Sequence, residues 1–76
     1  MGGGTAGLSD LVKRSFSLAG HRTSVALEPE FWRALTDLAT HRHIGLAALV
    51  ARVDATRPPG RALASSLRVT ALTSRS

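Results

Sequence analysis

Polar and apolar residues alternate in two short stretches near the start of the chain. The alternation runs through residues 12–18 and again through residues 22–27, with the period of two that an extended strand requires. Ala19-Gly20 interrupts it, as a turn does. The pattern predicts either a hairpin or a single strand preceded by a mobile basic arm at Lys13 and Arg14, and it leaves both open.

The period changes to that of a helix after Glu28-Pro29-Glu30. Proline near the first helical position and acidic groups beside the positive end of the dipole are typical of a helix start. A break at Ile44-Gly45 precedes a second helix over residues 46–56, which Arg57-Pro58-Pro59-Gly60 ends. Residues 61–73 favour a short third helix, in which leucine and alanine recur every four residues.

These elements predict an α+β chain: a strand or hairpin, two helices and a short third helix. We expect a flexible leader at residues 1–10, a domain at 11–57, and a Pro/Gly turn with a helical extension at 58–76. A chain of 76 residues buries little surface by itself, so self-association is expected to complete the core. The predicted core contains Leu27, Phe31, Leu35, Leu49 and Val50.

The amino-acid composition excludes several kinds of functional site and favours one kind of partner. The absence of cysteine excludes disulfides and thiolate sites, and the spacing of the three histidines does not favour a metal site or cofactor. The acidic residues form no evident catalytic pair, so no enzyme is predicted. No apolar run is long enough to span a membrane, and we expect a cytoplasmic protein. Ten Lys and Arg against five Asp and Glu give a net charge of +5, which favours a nucleic-acid partner.

Longer strings of the sequence carry a family resemblance. Thr23-Ser24-Val25-Ala26-Leu27-Glu28-Pro29-Glu30-Phe31-Trp32, followed by His43-Ile44-Gly45-Leu46-Ala47-Ala48-Leu49-Val50, resembles the ribbon-helix-helix family (the Arc/MetJ-like superfamily). The flanking strings, from Lys13-Arg14-Ser15 to Ser65-Ser66-Leu67-Arg68, are similar to a bacterial branch of that family. The resemblance covers residues 12–72.

The resemblance implies an intertwined homodimer whose two-stranded β-ribbon lies in the major groove of double-stranded DNA. It also implies a set of contacts by position. The base-reading residues would be Arg22, Ser24 and Ala26. The phosphate contacts would be the N–H groups of Leu46 and Ala47 after Gly45. Apart from the resemblance, the basic side chains of Lys13 and Arg14 are expected to contact phosphate when DNA binds.

Two functions follow as hypotheses. The first is a homodimeric, sequence-specific transcriptional regulator. The alternative is a protein-interaction module, antitoxin-like or a scaffold, in which the segment after Pro58-Pro59-Gly60 would order on a protein partner.

Overall fold

The computed structural model describes residues 10–74, and all of the predicted leader except Asp10 lies outside the described residues. A two-stranded antiparallel sheet is followed by three helices, which is the predicted α+β order. The elements are β1 (Val12–Leu18), β2 (His21–Leu27), α1 (Pro29–His41), α2 (Leu46–Thr56) and α3 (Leu63–Thr73). The predicted homodimer stays a prediction, since the structure describes one chain.

The two strands form a hairpin within the chain, so the hairpin is the alternative that the structure shows. They pair from Val12 opposite Leu27 to Leu18 opposite His21. The intervening residues, Ala19-Gly20, have φ angles of 51° and 84°. Two consecutive left-handed residues match the right-handed twist of the flanking strands, which is why such turns connect two-residue hairpins.

Ala19 is the strained position of this turn, because an alanine Cβ is disfavoured in the left-handed region by about 1–2 kcal/mol. Asparagine tolerates that conformation. We expect Ala19→Asn to raise the free energy of unfolding by about 1 kcal/mol in denaturant titrations. Ala55→Asn, in the exposed and helical part of α2, is the matched control and should instead lower stability, because asparagine is the poorer helix former. A loss of stability in both variants would contradict the turn geometry.

The connection between α1 and α2 begins with a capped C-terminus of α1. The N–H of Ile44 donates to the carbonyl of Ala39, and the N–H of His43 donates to that of Thr40, both at 3.0 Å. His43 itself is left-handed, with φ 60°. This is the Schellman arrangement, and it turns Ile44 back against the core before Gly45 begins α2.

One face of the hairpin packs against the helices, with α2 contacting β1 and α3 contacting β2. The buried side chains of the core are Phe16, Leu18, Val25, Leu27, Trp32, Leu35, Ala39, Leu49, Val50, Val53, Leu63, Leu67 and Ala71. Four of the five predicted core residues are therefore buried. The fifth, Phe31, is half-buried and packs against this core.

Trp32 is buried more deeply than its neighbour Phe31. Its ring centroid lies 5.8 Å from that of Phe16, and its Nε1 donates to the carbonyl oxygen of Val12 at 2.7 Å. Phe31, one position around the helix, is half-buried beneath the Arg68 guanidinium, whose carbon is 5.8 Å from the ring centroid. The hydrogen-bond partner of Trp32 is Val12, at the start of β1, and the spacing of residues within α1 could not predict this contact.

The third helix packs onto the same core, and it begins two residues later than predicted. Leu63, Leu67 and Ala71, which recur every four residues, are all buried. Arg68 ties the helix to the start of α1 through an ion pair with Glu28, at 3.1 Å. The segment after the prolines is thus ordered against its own chain.

A hydrogen bond from its own backbone N–H, followed by the hydrogen bond and charge of Arg68, holds the pKa of Glu28 below its ordinary value. A lowered folded-state pKa means that the charged carboxylate favours the folded chain above the unfolded pKa. That contribution is lost as the pH falls through the lowered value.

Candidate nucleic-acid interface

The face of the hairpin that points away from the helices is polar. It carries one row from each strand. The rows are Lys13, Ser15 and Ser17 on β1, and Arg22, Ser24 and Ala26 on β2. All are exposed except Ala26, which is half-buried. We call these six residues the outward face.

Side chains on the outward face contact one another across the strands. Ser15 and Ser24 stand opposite each other, and their hydroxyl oxygens are 2.9 Å apart. Arg22 donates a long hydrogen bond of 3.5 Å from Nη1 to the Ser17 hydroxyl opposite it. A guanidinium has five N–H donors, so Arg22 keeps donors for a further partner.

The charge of the outward face is entirely positive. Lys13 and Arg22 occupy opposite ends of the face, and neither strand contains an acidic residue. Paired strands lie about 4.8 Å apart, so a two-stranded ribbon is narrower than the major groove, which is about 12 Å wide. A two-stranded ribbon with cations at both ends suits a polyanion with grooves of that size.

Arg14 lies apart from Lys13, although the two are adjacent in sequence. Because strand residues alternate in direction, Arg14 points to the helix side of β1. Its guanidinium carbon lies 5.4 Å from the Trp32 ring centroid, a cation–π contact at the edge of the hairpin. The structure therefore divides this predicted pair between two sides of the strand.

Gly45 precedes α2 in an extended conformation and has no side chain with which to cap the helix. Its carbonyl accepts the N–H of Leu49 at 3.1 Å. The N–H groups of Leu46 and Ala47, in the first turn, have no partner inside the helix, as at any helix start. Such groups attract anions, and Ala47 is exposed while Leu46 is half-buried.

Ser15 and Ser17 complete the outward face, and the sequence analysis did not include them among the site residues. The alternation placed them on the polar side of the first run, but the site was assigned to the strand before α1 alone. The register of the hairpin is what brings them beside Ser24 and Arg22. The available signal was the Ala19-Gly20 turn, which fixes that register.

Within residues 10–74, no three His, Cys, Asp or Glu side chains are grouped so that they would hold a metal ion. None of the helices described there has the length and apolar character needed to cross a membrane.

Comparison with known proteins gives a family and no individual relative. No curated protein and no solved structure matches the chain. A family model described as the ribbon-helix-helix domain matches residues 11–74, which include the hairpin and all three helices. The chain therefore belongs to the ribbon-helix-helix family, whose members generally dimerise and act as DNA-binding regulators or antitoxins.

Proposed function

We propose that the protein is a transcriptional regulator that binds double-stranded DNA sequence-specifically, as a homodimer, with the outward face of the hairpin in the major groove. The observation that carries the proposal is the outward face itself. It is a two-stranded ribbon with exposed cations and hydroxyls and without an acidic residue. The major groove admits a ribbon of this width.

Within this proposal, each side chain of the outward face has a role set by its chemistry. Arg22 reads a guanine through paired hydrogen bonds to O6 and N7, and Ser24 accepts or donates a single hydrogen bond. Ala26 offers only a methyl group, suited to a thymine methyl. Lys13, at the end of the face, contacts a phosphate, which contributes affinity without sequence information.

Two further phosphate contacts flank the ribbon. The guanidinium carbon of Arg14 lies 5.4 Å from the Trp32 ring centroid, and the residue is exposed, so its N–H groups are accessible to a phosphate oxygen. The N–H groups of Leu46 and Ala47, after Gly45, would hold a second phosphate. These contacts would orient the hairpin in the groove.

The hairpin also limits how two copies share one DNA site. Pairing two hairpins edge to edge would give a four-stranded sheet, wider than the groove comfortably admits. We therefore propose that each chain of the dimer presents its own hairpin, one to each half-site. Selection from random duplex DNA at physiological salt tests the function: a repeated short motif supports it, and a folded protein that enriches no motif contradicts it.

Arg22→Ala tests the reading role. We expect it to weaken binding to the selected site by about 1–3 kcal/mol and to relax preference for the contacted base. Arg52→Ala is the control, since it removes the same charge from the exposed part of α2. Titrations against the selected and a scrambled duplex measure both effects. An equal loss on the two duplexes would make Arg22 a phosphate contact.

A protein-interaction module remains the second candidate, and one feature of α3 favours it. Val69 and Leu72 are exposed apolar residues on this helix, although Leu63 and Leu67 are buried in the core. Salt separates the two candidates. DNA affinity should fall steeply from low to physiological salt, whereas an apolar protein contact should change little.

The proposal includes no enzymatic activity and no cofactor. A regulator of this kind acts on the chromosome, so we place the protein in the bacterial cytoplasm.

A further inference from the structure

Two serine hydroxyls meet in the middle row of the outward face, one from each strand of the hairpin. Ser15 on β1 stands opposite Ser24 on β2, and their hydroxyl oxygens are 2.9 Å apart, in a hydrogen bond that either oxygen can donate. Both side chains are exposed, and within residues 10–74 neither hydroxyl has another hydrogen-bond partner. We call these two residues the serine pair.

The mutual hydrogen bond limits what the serine pair can offer to a ligand. Each hydroxyl has a single proton to donate and lone pairs with which to accept. One of the two protons lies between the oxygens, so only the hydroxyl that accepts this bond still has a proton to donate. The other hydroxyl can only accept. The serine pair therefore presents one donor and one acceptor side by side, as an asparagine amide does.

This pattern matches the major-groove edge of a single base. Adenine presents an acceptor at N7 and a donor at its N6 amino group. Guanine presents two acceptors, cytosine one donor, and thymine one acceptor beside a methyl group. Adenine alone gives both hydroxyls a partner while the bond between them is kept. Against guanine, one hydroxyl oxygen would face an acceptor without a proton to donate, which is unfavourable.

From this chemistry we propose that the serine pair reads an adenine, with one hydroxyl donating to N7 and the other accepting from the N6 amino group. Ser15 is thereby a specificity-determining residue, and it comes from β1 rather than from the strand before α1. The proposal rests on the proposed function, because it requires the outward face to lie in the major groove. It adds the identity of a base and a reading role for the first strand.

The neighbouring cross-strand pair of the outward face offers a different pattern. Ser17 stands opposite Arg22 and accepts its long hydrogen bond of 3.5 Å. The guanidinium has donors only, so Arg22 suits the two acceptors of guanine. The two rows therefore favour different bases, and we expect the half-site of one hairpin to contain both a guanine and an adenine.

Selection from random duplex DNA, with the wild-type chain and with Ser24→Ala, locates the base. The position at which Ser24→Ala loses preference is the one that faces the serine pair. The wild type is then titrated against duplexes that carry each of the possible base pairs at this position. We expect about tenfold preference for adenine over guanine, within the range of one bidentate contact.

A modified base tests the two hydrogen bonds with unaltered protein. 7-Deazaadenine has a C–H group in place of N7 and still pairs with thymine, so it removes the acceptor and leaves the N6 amino group. We expect its duplex to bind the wild type about fivefold more weakly than the adenine duplex, the effect of one lost hydrogen bond.

Ser15→Ala tests the contribution of β1. Without Ser15, the Ser24 hydroxyl can rotate to donate or to accept, so it no longer distinguishes adenine from guanine. We expect this variant to bind the two duplexes within about twofold of each other. Ser15→Thr keeps the hydroxyl and should keep the preference. Ser65→Ala, the same type of deletion at an exposed position of α3, is the matched control and should bind like the wild type.

The proposal is overturned if Ser24→Ala relaxes no position of the selected motif, if the base at the relaxed position is not adenine, or if 7-deazaadenine binds as tightly as adenine. Preference for adenine that survives in Ser15→Ala, or that is lost in Ser65→Ala, also contradicts it. Circular dichroism verifies that each variant is folded. A folded wild type that enriches no motif contradicts the proposed function itself.

Discussion

Replacing Trp32 by alanine is expected to lower the free energy of unfolding by about 3–5 kcal/mol, enough to unfold a large fraction of a domain this small. The side chain is only 3% exposed, and it packs between α1 and the hairpin against Phe16. Removal leaves a cavity and also leaves the Val12 carbonyl without its 2.7 Å donor. Denaturant unfolding followed by circular dichroism measures the loss.

Trp32→Phe separates the two contributions. It keeps an aromatic ring but removes the donor to Val12, so we expect a loss of about 1–3 kcal/mol from the unsatisfied carbonyl and the smaller ring. Phe31→Ala, at the half-buried neighbouring position, should cost less than Trp32→Ala. If Phe31→Ala were the more harmful change, the orientation of α1 described above would be wrong.

Leu67→Ala should have the second large effect, a loss of about 2–5 kcal/mol. Leu67 is fully buried in the middle of α3, where it packs into the core shared with α1 and α2. The expected loss follows only if α3 is part of the folded domain. It would be small if residues 58–76 were an appendage that orders on a partner.

Leu72→Ala is the matched control for this prediction. It makes the same chemical change five residues further along the same helix, where the side chain is 58% exposed. We expect a change of no more than about 0.5 kcal/mol. Equal effects at Leu67 and Leu72 would show that α3 is not docked as described, and thermal unfolding of the two variants measures the difference.

The sequence was sufficient for the elements because their patterns are local. The alternation of residues 12–18 and the four-residue spacing of Leu63, Leu67 and Ala71 both correspond to elements of the structure. Proline marks the start of α1 and the segment after α2, because its backbone restrictions act within a few residues, whereas the end of α1 is formed by left-handed His43. Periodicity alone could not distinguish a hairpin from a mobile arm, because it does not show whether residues 12–18 pair with β2.

The sequence predicted part of the candidate site, namely which residues of β2 share a face. The alternation on β2 places Arg22, Ser24 and Ala26 together, and the structure puts them on one face. The sequence did not predict contacts between residues that are distant along the chain. Arg14 makes a cation–π contact with Trp32, and Arg68 pairs with Glu28, forty residues away. Such contacts depend on how helices dock, which spacing within one element does not encode.

The two-residue turn at Ala19-Gly20 has a consequence for folding kinetics. Every strand pair in the hairpin lies close in sequence, so the ribbon has low contact order and closes a very short loop. Hairpins of this kind form in about 1–10 μs. A ribbon built between two chains would wait for an encounter, and its refolding rate would rise with concentration. Here we expect the ribbon to refold in a first-order process before any second copy arrives.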